Sequence, residues 1–129
     1  MSSNIPGNLS YTVEHEWARI ENESIVSIGI TDFAQSSLGD IVYVELPEVG
    51  SNISKGSTFG VVESIKSVSD LYAPISGEVL EVNSELVAHP ELCNKDAYSA
   101  WMLKIKMTDP TQVKTLLNSK QYAEHCTNA

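Results

Sequence analysis

A chain of 129 residues, 42% of them hydrophobic, has the length of one domain and enough apolar material for a core of its own. Eight basic residues against seventeen acidic ones give a formal charge of -9; this argues against nucleic acid and anionic membranes, because phosphate binding needs clustered Lys and Arg and no such run occurs. Two cysteines, Cys93 and Cys126, make no disulfide framework, and no apolar run approaches the roughly 20 residues of a membrane span, so the chain reads as intracellular.

The opening MSSNIPGNLS has neither the basic start and apolar block of a secretion signal nor the pattern of a transit peptide. The expected compartment is the cytoplasm for a bacterial protein, or the mitochondrial matrix for a processed eukaryotic one. From Tyr11, YTVEHEWARI alternates as a strand, ENES turns the chain, and SIVSIGI is a second strand, which together predict a hairpin. TDFAQSSLGD predicts one or two helical turns, with Thr31 as N-cap and Gly39 as the left-handed stop. IVYVELP resumes the strands. Between residues 41 and 83 the turn signals are regular, at Pro47, Gly50, Gly56, Gly60, Pro74 and Gly77, a spacing that favours an all-β sandwich or flattened barrel. The element Pro-x-x-Gly occurs at 47–50 and at 74–77, which predicts two similar hairpin halves facing each other, with Lys66 between them. EVLEVNSELVAHPELCN reads as a strand and then a short helix or loop, and AWMLKIKM as one more strand. At the end, Asp109, Pro110 and Gln112 predict a capping-box start with Pro at the first helical position, and Ser119 opens a second short helix through Tyr122 and Ala123. The expected organisation is a single domain over 1–129, its core at about 9–107 and its helical C-terminal segment at about 109–124.

Catalytic signatures are missing. His15 and Glu16 match the start of a zinc-protease helix, but Arg19 stands where the second histidine belongs. There is no G-x-S-x-G, no P-loop and no dinucleotide glycine fingerprint. His89 with Cys93 and His125 with Cys126 would need a fold that joins two distant pairs to hold zinc, and Pro90 breaks the first; the expectation is no metal. Trp17 and Trp101 read as core residues. The chain is therefore expected to be a non-catalytic component.

One residue stands apart. In VVESIKSVSDLYAPISGEV, Lys66 lies between two strands among serines and acids. Such a lysine is ordinarily a hydrated cation that also discourages edge pairing between chains. Yet GVVESIKSVSDLYAPISGEV resembles the lipoate-attachment hairpin of lipoyl carrier domains, and YTVEHEWARIE, SIGITDFAQSSLGDIVYVELPEVG and ESIKSVSDLYAPISGEVLEVN follow the order of the motifs of the glycine cleavage system H protein family. The resemblance runs from about Tyr11 to Tyr122. It implies a mainly β, lipoyl/biotinyl-type barrel-sandwich hybrid, a flattened two-sheet sandwich with short peripheral helices and a helical C-terminus.

The same resemblance implies a monomeric carrier that holds lipoic acid as an amide on Lys66. A lipoate ligase or a lipoyl/octanoyl transferase would attach it. The arm would then serve a pyridoxal-phosphate glycine decarboxylase, an aminomethyltransferase and dihydrolipoamide dehydrogenase. Glu63 and Gly77 match positions presented to the lipoylating enzyme; Asp70 and Glu16 match acidic positions lining the cleft that shelters the loaded arm. The sequence departs from the family at Phe33, where a histidine is usual, at Glu14, where a small or basic residue is common, and in DAYSAWMLKIK, which lacks a Pro and a Gly. Phe33 and Glu14 leave open an H-like lipoyl protein used as a lipoate relay or as a redox or regulatory module. A biotin carrier shares the architecture, but it places Met on both sides of its lysine, whereas Ile65 and Ser67 flank Lys66.

Overall fold

The computed structural model describes residues 5–128. Its first surprise is that the alternating stretch from Tyr11 is not one strand. β1 (Ser10–Tyr11) folds back antiparallel on β2 (Glu16–Ile20), with Tyr11 opposite Trp17, through a turn over residues 12–15. Thr12 closes that turn: its amide donates to Glu16 O at 3.0 Å, and its hydroxyl oxygen accepts from Glu16 N at 3.1 Å. His15 takes φ 72° there, the left-handed region. Polar–apolar alternation carries straight across such a reversal, so the pattern alone does not reveal it.

β2 and β3 (Ile25–Ile30) form the expected hairpin, in which Asn22 Oδ1 accepts from Ser24 N and Ile25 N at 3.0 Å each. α1 (Asp32–Leu38) follows, capped by Thr31, whose hydroxyl accepts from Ala34 N. Gly39 ends it with φ 83° and ψ -155°, a conformation essentially confined to glycine.

β4 (Ile41–Glu45), β6 (Thr58–Ser64) and β7 (Val68–Tyr72) make a three-stranded sheet in the order β4-β6-β7. The other sheet has the order β1-β2-β3-β9-β8-β5, completed by β5 (Asn52–Ile53), β8 (Gly77–Val82) and β9 (Leu103–Met107). All pairings are antiparallel. Val26 and Ile28 of β3, Val79 of β8 and Ile105 of β9 are buried together with Val44, Val62 and Leu71 of the smaller sheet. Each such side chain contributes about 1.5–3 kcal/mol by leaving water. This is the flattened sandwich that the sequence predicts. The two Pro-x-x-Gly segments are not hairpin turns: each carries the chain from the smaller sheet to the larger, and they meet there, β5 pairing with β8, Ile53 opposite Gly77, and Gly50 N donating to Val79 O.

Gly60 is not a turn. It lies within β6 beside a bulge, where a side chain would run into the Glu45 carbonyl, so close backbone approach and not reversal selects glycine.

α2 (Ser84–Ala88) and α3 (Leu92–Lys95) are short, separated at Pro90. The turn before β9 is built on Asp96, whose carboxylate accepts from Tyr98 N and Ser99 Oγ. A 3₁₀ turn, Pro110–Thr115, is capped by Asp109, but the capping box does not close. Gln112 instead accepts from Ser76 N at 2.7 Å, tying the C-terminal segment to the turn before β8. α4 (Ser119–Asn128) is longer than the sequence predicts and packs Tyr122 with Tyr11, Trp17, Tyr98 and Leu9 in a second buried cluster. Trp17 is fully buried, its Nε1 donating to Ala97 O; Trp101 is only half-buried, under the Lys104 ammonium.

Candidate functional site

Lys66 stands exposed at the tip of the β6–β7 hairpin. The tip is short and closed. Ser64 N donates to Ser67 O at 2.8 Å, and the Ser64 hydroxyl oxygen accepts from Lys66 N and Ser67 N at 3.1 Å each. Ile65 N donates to Asp40 O at 3.1 Å, which fastens the tip to the α1–β4 connection. Every amide from Ser64 to Ser67 thus has an acceptor, which fixes the backbone under an exposed side chain. The lysine stem runs over Gly39, where an added methyl group would sit 3.3 Å from Lys66 Cε. Among the described residues the ion pairs are His89–Glu91 and Lys104–Glu81, and Lys66 belongs to neither.

The remaining candidates fall in different places. Glu63 is half-buried on β6, opposite Tyr43 and Val68 and close to the tip in sequence. Asp70 is exposed on β7, on the face it shares with Val68 and Tyr72, so this face leads from the lysine along the strand. Gly77 is not part of the lysine hairpin. It opens β8 in the other sheet, buried between Ile53 and Met107, and a methyl group there would lie 2.5 Å from Lys106 O. Strand packing alone accounts for glycine at that position.

Glu16 is 2% exposed. Its Oε1 accepts from the Thr12 hydroxyl at 2.6 Å and its Oε2 from Tyr72 N at 3.2 Å, so one carboxylate joins the start of β2 to the end of β7. Burial pushes its pKa up to about 7, overriding the hydrogen bonds that favour the charged form. The side chain forms part of the wall of a cleft of about 150 Å³, together with Thr12, Val13, Glu14, Lys55 and Tyr72. Asp70 is not on that wall. A larger groove of about 430 Å³ lies between β4 and α2, with mainly apolar walls and no buried charged group.

Sequence reasoning missed the group behind this cleft. His15 is sandwiched between Phe33, stacked at 4.5 Å, and His125 at 5.4 Å, while its Nδ1 meets the Tyr122 hydroxyl at 2.7 Å. Burial and then His125 lower the His15 pKa. Phe33 therefore supplies a ring to this stack without adding a third imidazole. The contacts with Tyr122 and His125 join residues more than a hundred positions apart, and nothing local announces them.

A family model described as the glycine cleavage H-protein matches residues 9–129. The chain belongs to that family. Its glycine cleavage H-protein relatives include the glycine cleavage system H protein of Bacillus cereus (strain AH187), 56% identical over 121 residues, 93% of this chain and 94% of the relative. That of Alkaliphilus oremlandii (strain OhILAs) is 52% identical over 118 residues, 92% of each. A crystal structure of the glycine cleavage system H protein from Mycobacterium marinum superposes with a TM-score of 0.85 at 44% identity, covering 93% of this chain and 97% of that one. Among the described residues of this family member, no helix is long and apolar enough to cross a membrane.

Proposed function

We propose that this chain is the lipoyl carrier component of a glycine cleavage system, with lipoic acid joined to Lys66 Nζ as an amide. The observation that carries the reading is the tip itself: an exposed lysine, outside the ion pairs, on a hairpin whose amides are all bonded. A lipoate ligase or a lipoyl/octanoyl transferase has open access to such an amine, and Glu63 beside it is available as a recognition point. When attached, lipoate supplies the dithiolane on which the aminomethyl group of glycine travels from a pyridoxal-phosphate glycine decarboxylase to an aminomethyltransferase, with dihydrolipoamide dehydrogenase restoring the disulfide.

The protein's own work is presentation and shelter. Tethering holds the reactive sulfur at high effective concentration near a docked enzyme. The cleft beside Glu16 receives the cargo's ammonium: with its pKa near 7, Glu16 is partly protonated at neutral pH, and an entering cation favours its charged form and expels the proton. Exposed Asp70 lies on the face between lysine and cleft. In this reading residues 9–107 hold the arm, the C-terminal segment braces them as one monomeric domain, and the chain completes no reaction alone. Bacterial relatives support a cytoplasmic location. Phe33, stacked on His15 as a structural ring, gives the relay alternative no separate support.

The test is intact mass after expression with lipoate and a ligase, followed by transfer from labelled glycine using purified decarboxylase and aminomethyltransferase. One lipoyl increment and labelled product are expected. Lys66→Arg should keep the fold and lose both. An unmodified wild-type protein, or a lipoylated one that accepts no label, sinks the reading.

A further inference from the structure

The turn over residues 12–15 has two sides. Thr12, Val13 and Glu14 line the cleft, and the next residue, Glu16, places its carboxylate there. From behind, the same turn is gripped by α4, and none of the described residues of that helix lines the cleft. His125 Nε2 donates to Val13 O at 2.9 Å. The Tyr122 hydroxyl lies 2.7 Å from His15 Nδ1 and 2.7 Å from Thr31 Oγ1, while its ring stacks on Tyr11 at 4.5 Å. A further pair of bonds joins Leu117, just before the helix, to Tyr11, just before the turn.

His15 is the one non-glycine residue with positive φ among the described residues, so the turn holds a conformation that must be imposed from outside. We propose that α4 imposes it: Tyr122 and His125 are positioning residues that hold the cleft wall, and through it Thr12 and Glu16, in the geometry that receives the loaded arm. The inference rests on the reading of the cleft as the arm's shelter. It assigns the C-terminal helix a task in carriage at a distance from the lysine it serves. Loss of a grip should loosen the turn and leave the hairpin untouched, because the tip is fastened to Asp40 and Ser64 and not to α4.

Tyr122→Phe removes both hydroxyl bonds while keeping the ring stack, His125→Ala removes the bond to Val13, and His125→Gln keeps a donor. Hydrogen exchange on the unlipoylated proteins should accelerate about fivefold to tenfold at amides 13–16 in the first two variants, the loss of one or two net hydrogen bonds, with hairpin amides 64–67 unchanged. Lipoylation yield at Lys66 should stay at the wild-type level. The lifetime of aminomethyl cargo on the loaded protein, without acceptor enzyme, should shorten about threefold or more, and His125→Gln should restore most of it. Unchanged exchange at 13–16, or faster exchange with the wild-type cargo lifetime, overturns the proposal. If Glu16→Gln and wild type lose cargo equally fast, the cleft is no shelter and that reading fails separately; the grip of α4 on the turn is then decided by exchange alone.

Discussion

At Glu16 two effects of opposite sign meet, and their balance sets a pH dependence. Three donors favour the carboxylate, the Thr12 hydroxyl, Tyr72 N and its own amide, yet burial prevails and its pKa rises from 4.5 to about 7. A group whose folded pKa is raised stabilises the fold below its unfolded value and loses that contribution as pH climbs through the folded one. At about 1.4 kcal/mol per unit of separation, the loss between pH 4.5 and 7.5 is roughly 3 kcal/mol. Urea denaturation should find Glu16→Gln flatter than wild type across this window and more stable at pH 8, because the amide can accept from Tyr72 N and donate to Thr12 without desolvating a charge. An identical slope in both proteins would mean that burial does not control this carboxyl. His15 works the other way: its lowered pKa contributes stability that is present above 6.5 and lost as pH falls. Glu16 and His15 are adjacent in sequence and pull in opposite directions, the carboxyl losing stability as pH rises towards 7 and the imidazole as pH falls below 6.5.

Among the elements, α1 and α3 hold the connection against which the tip of the lysine hairpin is fastened. Asn94 of α3 donates to Gly39 O and Gln35 Oε1 at 2.9 Å each and accepts from Ile41 N at 2.8 Å, so it fixes the connection on which the hairpin tip rests. Asn94→Ala leaves those groups unpaired and should cost about 1–3 kcal/mol. Gly39→Ala should cost a similar amount, about 1–3 kcal/mol, since its backbone angles suit only glycine. It also places a methyl group against the lysine stem. Thermal melts give the stability loss for each, and both variants should be lipoylated more slowly than wild type by the same ligase. Normal lipoylation rates would show that the modifying enzyme does not need the tip held. These elements also mark what the sequence discloses. The Thr31 cap, the Gly39 stop and the hairpin around Lys66 depend on neighbours a few positions away and leave local signals. By contrast, Gln112 bonding to Ser76, Glu16 bonding to Tyr72 and His15 meeting Tyr122 span 36, 56 and 107 positions, and only the closed fold brings them together. The close approach of Gly60 to Glu45 is illegible for the same reason, whereas the reversal at Thr12 is local and is hidden because polar–apolar alternation carries across it.

At the scale of the whole molecule, exposed apolar and acidic side chains stand side by side at the lysine end. Ile65 is 68% and Val68 66% exposed, with Tyr43 also in solvent. Acidic Asp40, Glu45 and Asp70 are exposed on the segments around them. Lipoylation of Lys66, as proposed, would remove one cation from a chain already at -9. Such a surface favours a partner with an apolar contact patch inside a basic rim, and it divides the energetics by range. The acidic groups act across the Debye length, about 10 Å at 0.1 M salt, and accelerate encounter; the aliphatic side chains act only after contact. Salt should therefore lower kcat/KM for the lipoylated protein as substrate of glycine decarboxylase by about tenfold between 0.02 and 0.5 M, with kcat nearly constant. Free lipoamide, which has no acidic surface, serves as the control and should lose little. Ile65→Ser should weaken transfer at every salt concentration alike, leaving the slope unchanged, because it removes contact and not steering. Asp70→Asn should reduce the slope. A carrier whose kcat/KM is indifferent to salt would show that its negative charge plays no part in finding its partners.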